Sequence, residues 1–323
     1  MRVGIGPTNA GGQAYRLAVA LRSAGIDAES FGLDTQHKPP LKFPVDRVLT
    51  RQEWGKPAWQ AYVRGFTHLL MWNGVSPYGP HRWWDHELHL AQRMAVVFRG
   101  SELRYPTKHQ RLERWSPFAP GDDLTRALTV RNDRLRERLR LHPPKAFVAT
   151  LEMLDYIASA TWMPIIADPV EAGPVLERDR PVVLHIPTNG QLKGAKYVEA
   201  VSGIELRRPE MMWPDQALAA IRDADVVIGG LVLGDYGGTE IQALAAGRLV
   251  VGNVSQRVRR RLDVPIVQAE PNTLSDVLRD IVNRREFYRA IAAQGPAFHA
   301  RYHDGRRSVA ALADFLGLAE VAA

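Results

Sequence analysis

The sequence predicts an α/β fold made of two Rossmann-like, doubly wound domains facing a central cleft. Three observations predict it. The chain opens as strand, glycine loop, helix and strand. From Pro181 onward short buried strands alternate with helices, the pattern of a parallel sheet. A stretch rich in proline and glycine, Ala167-Asp168-Pro169-Val170-Glu171-Ala172-Gly173-Pro174, separates the two parts. A length of 323 residues suits about two domains. The expected division is a first domain over 1–168, a second domain over 169–300, and a C-terminal helix over 301–323 that packs back toward the first domain.

Val3 to Ile5 is an apolar strand and Gly6 to Gln13 a loop. Ala14 to Ala24 places Leu17, Ala18, Ala20 and Leu21 at helical spacing, Gly25 suits its C-terminal cap, and an extended run resumes at Ala28–Gly32. Further strands are expected at Thr67–Met71, Met94–Phe98, Ala146–Ala149 and Met163–Ile166, with long polar segments at Asp34–Trp54 and Glu102–Pro120. Beyond the break, strands are expected at Pro181–Ile186, Ile204–Leu206, Val226–Ile228, Leu249–Val251 and Pro265–Val267. The helices between them fall around Ala195–Val201 and at Pro214–Ala224, Glu240–Ala246 and Thr273–Asn283. Arg285 to Leu316 reads as two helices.

Composition narrows the function classes. The chain is 46% hydrophobic and 24% charged, as globular proteins are. It has no cysteine, which excludes disulfides, thiolate metal sites, iron–sulfur clusters and a cysteine nucleophile, and suits a cytoplasmic location. The first residues lack an apolar run of signal-peptide type, and no segment is long and apolar enough for stable membrane insertion. A net charge of +7 suits phosphate-bearing partners and equally an arginine-rich but ordinary surface. His86-Glu87-Leu88-His89 lacks the spacing of a zinc helix motif, so no metal site is expected.

Several residues have the chemistry of an anion site. In Ala224 to Val251 a buried strand runs into the loop Gly229–Gly238, then a helix, then a second buried strand; helix N-termini attract phosphate. Asp235, Tyr236, Gly237, Gly238 and Thr239 form the end of that loop, Thr239 suits its N-cap, and Glu240 and Gln242 fall within reach of a ribose. Gly11 and Gly12 allow close backbone approach to a phosphate. Lys193 precedes Gly194 at an expected helix start, where a cation is unfavourable without an anionic partner. Trp83 and Trp84, beside His81 and Arg82, read as core or as a sugar-binding surface. Arg131 to Arg140 and Arg257 to Arg261 read as solvated faces or as contacts to a polyanion.

Four segments, in order along most of the chain, resemble the retaining, nucleotide-sugar-dependent glycosyltransferases of family 4, in their bacterial or phage subgroup. These are Gly11-Gly12-Gln13, Val96 to Arg104 (the family's HGSD-type segment), Leu184 to Gly194 (its HAPSN…KG segment) and Gly234 to Val251 (its GxYGxxxxEAMAxGxPVV segment). The resemblance implies a GT-B fold and a metal-independent, hexosyltransferase-like transfer to an acceptor hydroxyl with retention. It implies no obligatory cofactor and a nucleotide-diphosphate-sugar donor, UDP- or GDP-linked. It places Lys193 on the leaving diphosphate and Gly11, Gly12, Gln13, Thr188, Asn189, Asp235 to Glu240 and Gln242 around the donor. Arg99 and Glu240 join Lys193 as catalytic candidates, while Glu102, Arg104, Trp83 and Trp84 lie toward the acceptor: a glycan, a protein, a small molecule or modified DNA. The oligomeric state is not implied. Two departures stand out. Gln242 replaces the glutamate that accepts the ribose hydroxyls, and Arg99 replaces the histidine near the reacting sugar. Arginine is no base at neutral pH but binds phosphate or carboxylate. The departures leave open an altered substrate, an acceptor in DNA, or a sugar-nucleotide-binding protein with weakened catalysis.

Overall fold

The computed structural model describes residues 1–34, 43–79, 92–141, 144–210 and 212–318. They form two compact units. The first comprises Met1–Tyr105, Arg126–Ile166 and Gly305–Ala323, and the second Pro106–Thr125 and Ala167–Asp304. Each unit is a mixed α/β body around one parallel sheet.

The first unit's sheet has seven strands: β1 Val3–Gly6, β2 Ala28–Leu33, β3 Arg47–Leu49, β4 His68–Trp72, β5 Arg93–Phe98, β6 Lys145–Val148 and β7 Thr161–Trp162. They lie in the order β3-β2-β1-β4-β5-β6-β7, all pairings parallel. β1 and β4 are buried throughout, because helices cover both faces of such a sheet. On one face Leu17, Ala18 and Leu21 of the helix Gln13–Ser23 pack with Val309, Leu312 and Phe315 against Val3, Ile5 and Val97. On another, Phe31, Trp59, Phe66 and Tyr78 form an aromatic cluster.

The second unit's sheet has β8 Val182–Leu184, β9 Glu205–Arg207, β10 Val226–Ile228, β11 Leu249–Gly252 and β12 Val267–Gln268, in the parallel order β12-β11-β10-β8-β9. Its core joins Val183, Val226, Ile228 and Val251 to Leu274, Leu278 and Ile281 of the amphipathic helix Leu274–Asn283.

Some local expectations need correction. The polar segment 34–54 contains β3, an edge strand that buries only Leu49 and so shows no apolar run. The polar segment 102–120 contains the helix Pro106–Leu112. The helix expected around 195–201 is instead one turn, Gly190–Lys193, and a 3₁₀ turn, Ala195–Tyr197; Gly194, at φ 75°, divides them. The tail holds four short helices from Arg285 to Leu316, broken near Gln294, at Gly305 and at Leu312. The strand expected at 163–166 ends at Trp162, because the Ile166 backbone pairs with a side chain instead of a strand: Gln13 Nε2 donates to its carbonyl and its N–H donates to Gln13 Oε1, both at 2.7 Å.

Candidate functional site

In an open parallel sheet, ligands bind beyond the carboxyl ends of the strands where the winding direction reverses. In the second unit the chain moves from β8 out to β9 and returns to the other side of β8 as β10, so the reversal lies between β8 and β10. The loops leaving these strands carry Lys193 and the glycines Gly229–Gly238. They are joined by Leu231 N–H donating to the Lys193 carbonyl at 3.1 Å.

Lys193 ends its helical turn rather than starting one, so the turn dipole favours its charge. Its anionic partner is Glu240: Nζ lies 2.7 Å from Oε1, with the lysine side chain 24% and the glutamate 2% exposed. Gly230 N–H donates to the same oxygen at 2.8 Å and Gly237 N–H to Oε2 at 3.2 Å. Burial alone would push the Glu240 carboxyl up; the Lys193 ammonium, the backbone N–H of Glu240 itself and that of Gly230 overcome it and hold the group below its usual range. Glycine is required beside the pair, since a Cβ on Gly229 would stand 2.5 Å from Glu240 Cγ.

Glu240 is thus the third residue of the helix Gly238–Ala245, whose N-cap is Gly237, not Thr239. Gln242 lies two residues further on, half-buried, with no hydrogen bond from its side chain to any described residue. Thr188 and Gly238 are exposed, and Asn189 caps the turn by accepting from Leu192 N–H at 3.0 Å. Asp235 is buried and accepts from Tyr236 N–H at 2.7 Å. Tyr236 is buried, its ring edge-on to His303, and burial pushes its hydroxyl well up. His185, the histidine of the HAPSN-like segment, packs against the start of the Gly229–Gly238 loop. Its Nδ1 meets the Ile228 carbonyl at 3.0 Å, and burial lowers its pKa.

In the first unit the reversal lies between β1 and β4. Gly11 and Gly12 form the turn after β1 with φ of 64° and 70°. Asn9, which no sequence motif singles out, caps the following helix: its Oδ1 accepts from Ala14 and Tyr15 N–H at 3.0 and 3.2 Å. An asparagine four residues before a helix is the available signal. Gln13 is buried with its amide committed to Ile166, so it does not face a ligand. Arg99, the first residue after β5, donates from Nη1 to the Ala10 carbonyl; burial pushes its guanidinium down to about 10, leaving it charged at neutral pH. Glu102 accepts from Arg99 N–H. Arg104 is buried in an ion pair with Glu152, which also accepts from Thr150 Oγ1 at 2.7 Å, so it is a scaffold group rather than an acceptor contact. Trp83, Trp84 and His86–His89 lie outside the described residues.

Of the second basic cluster, Arg257 is tied to Glu113 at 2.5 Å and to the Leu112 carbonyl, while Arg259 binds the Val264 and Ile266 carbonyls. Among the described residues no group of carboxylates and histidines could hold a metal, and no helix is long and apolar enough to cross a membrane.

No family model and no curated protein matches the chain. Solved structures do match along nearly its whole length. Sucrose-phosphate synthase from Thermosynechococcus elongatus superposes with a TM-score of 0.65 at 15% identity, over 96% of each chain. HepE from Anabaena, in complex with UDP-glucose, matches at 0.59 and 10%, over 98% of this chain and 99% of that one. An α-glucosyltransferase in complex with UDP and a 13-mer DNA containing an HMU base matches at 0.57 and 10%, with the same coverage. The fold class is therefore that of the GT-B glycosyltransferases.

Proposed function

We propose that the chain is a glycosyltransferase that takes its sugar from a nucleotide diphosphate sugar, with UDP the first nucleotide to test and GDP the second. The observation that carries this reading is the Lys193 ammonium at the strand reversal of the second sheet, partly exposed and fixed by a buried carboxylate. An ammonium has three donors, and Glu240 uses one. The others are left for a diphosphate. Negative charge builds on that group as it departs, and a fixed cation stabilises it more there than in the bound donor. Glu240 acts here as a positioning residue: it holds Lys193 and pins Gly230 and Gly237. Gln242, with an uncommitted amide, can both donate to and accept from ribose hydroxyls.

The reading includes retention at the anomeric carbon, no obligatory metal and a cytoplasmic setting. The first two follow from the family resemblance, and the third from the absence of cysteine. A DNA acceptor has less support, because Arg257 and Arg259 are engaged within the fold.

The test is thermal stabilisation by UDP, GDP, ADP and dTDP and their sugar conjugates. A ligand at 100 times its Kd adds about 2.7 kcal/mol. Stabilisation by one nucleotide, lost in Lys193→Ala, supports the reading; the anomer formed, read by NMR, then decides retention. Stabilisation by none of them removes it.

A further inference from the structure

Beyond the carboxyl ends of β4 and β5, the first unit contains a cavity of about 390 Å³, a size typical of small-ligand sites. Trp54, Asn73 and Glu102 form one side. The other is the helix Asp123–Leu141, which turns Leu128, Asn132 and Leu135 inward. Its neighbouring stripe, Ala127, Val130, Arg131 and Arg134, borders the cavity at spacings of three and four residues, so these side chains share one face.

The charges here do not cancel. Glu102 accepts from Arg99 N–H, and its carboxylate faces both the Arg99 and Arg104 guanidiniums. Arg104 is itself paired with Glu152. These four groups balance. Arg131 and Arg134 are surplus: both are exposed, and neither forms an ion pair with a described residue. The remaining wall suits a sugar. Trp54 turns its indole N–H to the Ser76 carbonyl at 3.3 Å, which leaves the ring half-exposed. The Asn73 side chain lines the same wall, with its Oδ1 unpaired among the described residues. Val130, 49% exposed, adds apolar surface at the rim.

We infer that this cavity binds an anionic saccharide, a sugar bearing a phosphate or a carboxylate, held by Arg131 and Arg134 with its ring against Trp54. That this saccharide is the acceptor rests on the glycosyltransferase reading; that it binds does not. Guanidinium recognises both anions in the same bidentate manner, and the cavity accommodates a single sugar rather than a polymer backbone.

The experiment is calorimetric titration of the full chain, without nucleotide, with glucose-6-phosphate, glucuronate, glucose and a single-stranded oligonucleotide. It is repeated on Arg131→Gln/Arg134→Gln, in which both changes are on an exposed face, so folding is unaffected. One of the two anionic sugars should bind at least about tenfold more tightly than glucose, and the preference should vanish in the variant. Which one binds distinguishes phosphate from carboxylate. Stabilisation by UDP should be unchanged in the variant. Equal binding of glucose and the anionic sugars, anionic binding that survives the double substitution, binding of the oligonucleotide alone, or no binding at all would each overturn the inference. Failure of UDP to bind would instead strike at the donor reading and leave this result standing.

Discussion

Each unit puts a glycine-bearing turn at its strand reversal, and the two turns are held by charges of opposite sign. In the first unit a cation, Arg99, donates to the Ala10 carbonyl beside Gly11 and Gly12, while Asn9 accepts the first free N–H groups of the following helix. In the second an anion, Glu240, accepts from Gly230 and Gly237 N–H and carries Lys193 on the same oxygen as Gly230. The sign of the charge decides what each turn has left to offer. The first encloses its guanidinium against its own backbone. The second has already committed part of its N–H set to its own carboxylate, so under the proposed function a donor phosphate is met chiefly by the ammonium.

Removing the anion tests this contrast most severely. Glu240→Ala leaves Lys193 and two N–H groups without their partner, and losing one member of a buried pair costs about 3 kcal/mol. Lys193→Ala should cost less stability, because Glu240 keeps its Gly230 and Gly237 N–H donors, yet under the proposed function reduce transfer about a hundredfold or more. Urea unfolding with a sugar-transfer assay separates the two. Equal stability losses would mean that Glu240 does not organise the turn.

Two glycines refine the same point. Gly229→Ala forces a Cβ to within 2.5 Å of the Glu240 side chain, whereas a Cβ on Gly237 meets nothing nearer than 3.6 Å. The first should lose about 2 kcal/mol by overpacking and the second well under 1 kcal/mol. A Gly237→Ala variant as unstable as Gly229→Ala would show that the loop itself, not the carboxylate beneath it, limits substitution.

In the first unit the effects should be smaller. Asn9→Ala removes a helix cap and should cost about 1 kcal/mol. Arg99→Ala gives up the bond to the Ala10 carbonyl but also removes an enclosed charge, so its net cost should lie below that of the cap. Thermal unfolding of the two variants orders them, and a larger loss for Arg99→Ala would make its turn contact the principal one.

Much of this is legible in the sequence, though unevenly. The strands of both sheets announce themselves because a parallel sheet buries both faces and reads as apolar runs: Val226–Ile228 and Leu249–Gly252 are buried at every position. The edge strands β3 and β7 do not: β3 buries one residue in three and β7 neither of its two. Lys193 and Glu240 are each visible as candidates, but their pairing joins residues 47 apart and depends on β8 and β10 being neighbours, which no local pattern encodes. Gln13 and Arg104 have the residue types of a binding site, and only their partners, Ile166 and Glu152, show that their polar groups are used within the fold.

The finest distinction between the units is in their response to pH. Each holds a buried histidine with an Nε2 that has no hydrogen-bond partner among the described residues: His68, whose Nδ1 lies 2.9 Å from Thr67 Oγ1, and His185, whose Nδ1 lies 3.0 Å from the Ile228 carbonyl. Burial is the largest cause lowering both pKa values below 6.5; Arg93 and the N-terminus add to it at His68, and Lys193 and Arg208 at His185. The folded protein therefore binds a proton less readily than the unfolded chain. The stability each histidine confers is fully present above pH 6.5 and is lost as pH falls from there through the depressed folded value. The slope contributed by one such group cannot exceed about 1.4 kcal/mol per pH unit. His185 is the more deeply enclosed, at 1% exposure against 8%. His185→Asn, which keeps a donor near the Ile228 carbonyl, should flatten the pH dependence of unfolding below about pH 6.5 more than His68→Asn does. Chemical denaturation of both variants across that range decides it. A greater flattening in His68→Asn would mean that the second unit admits water to His185, and with it to the floor beneath Lys193.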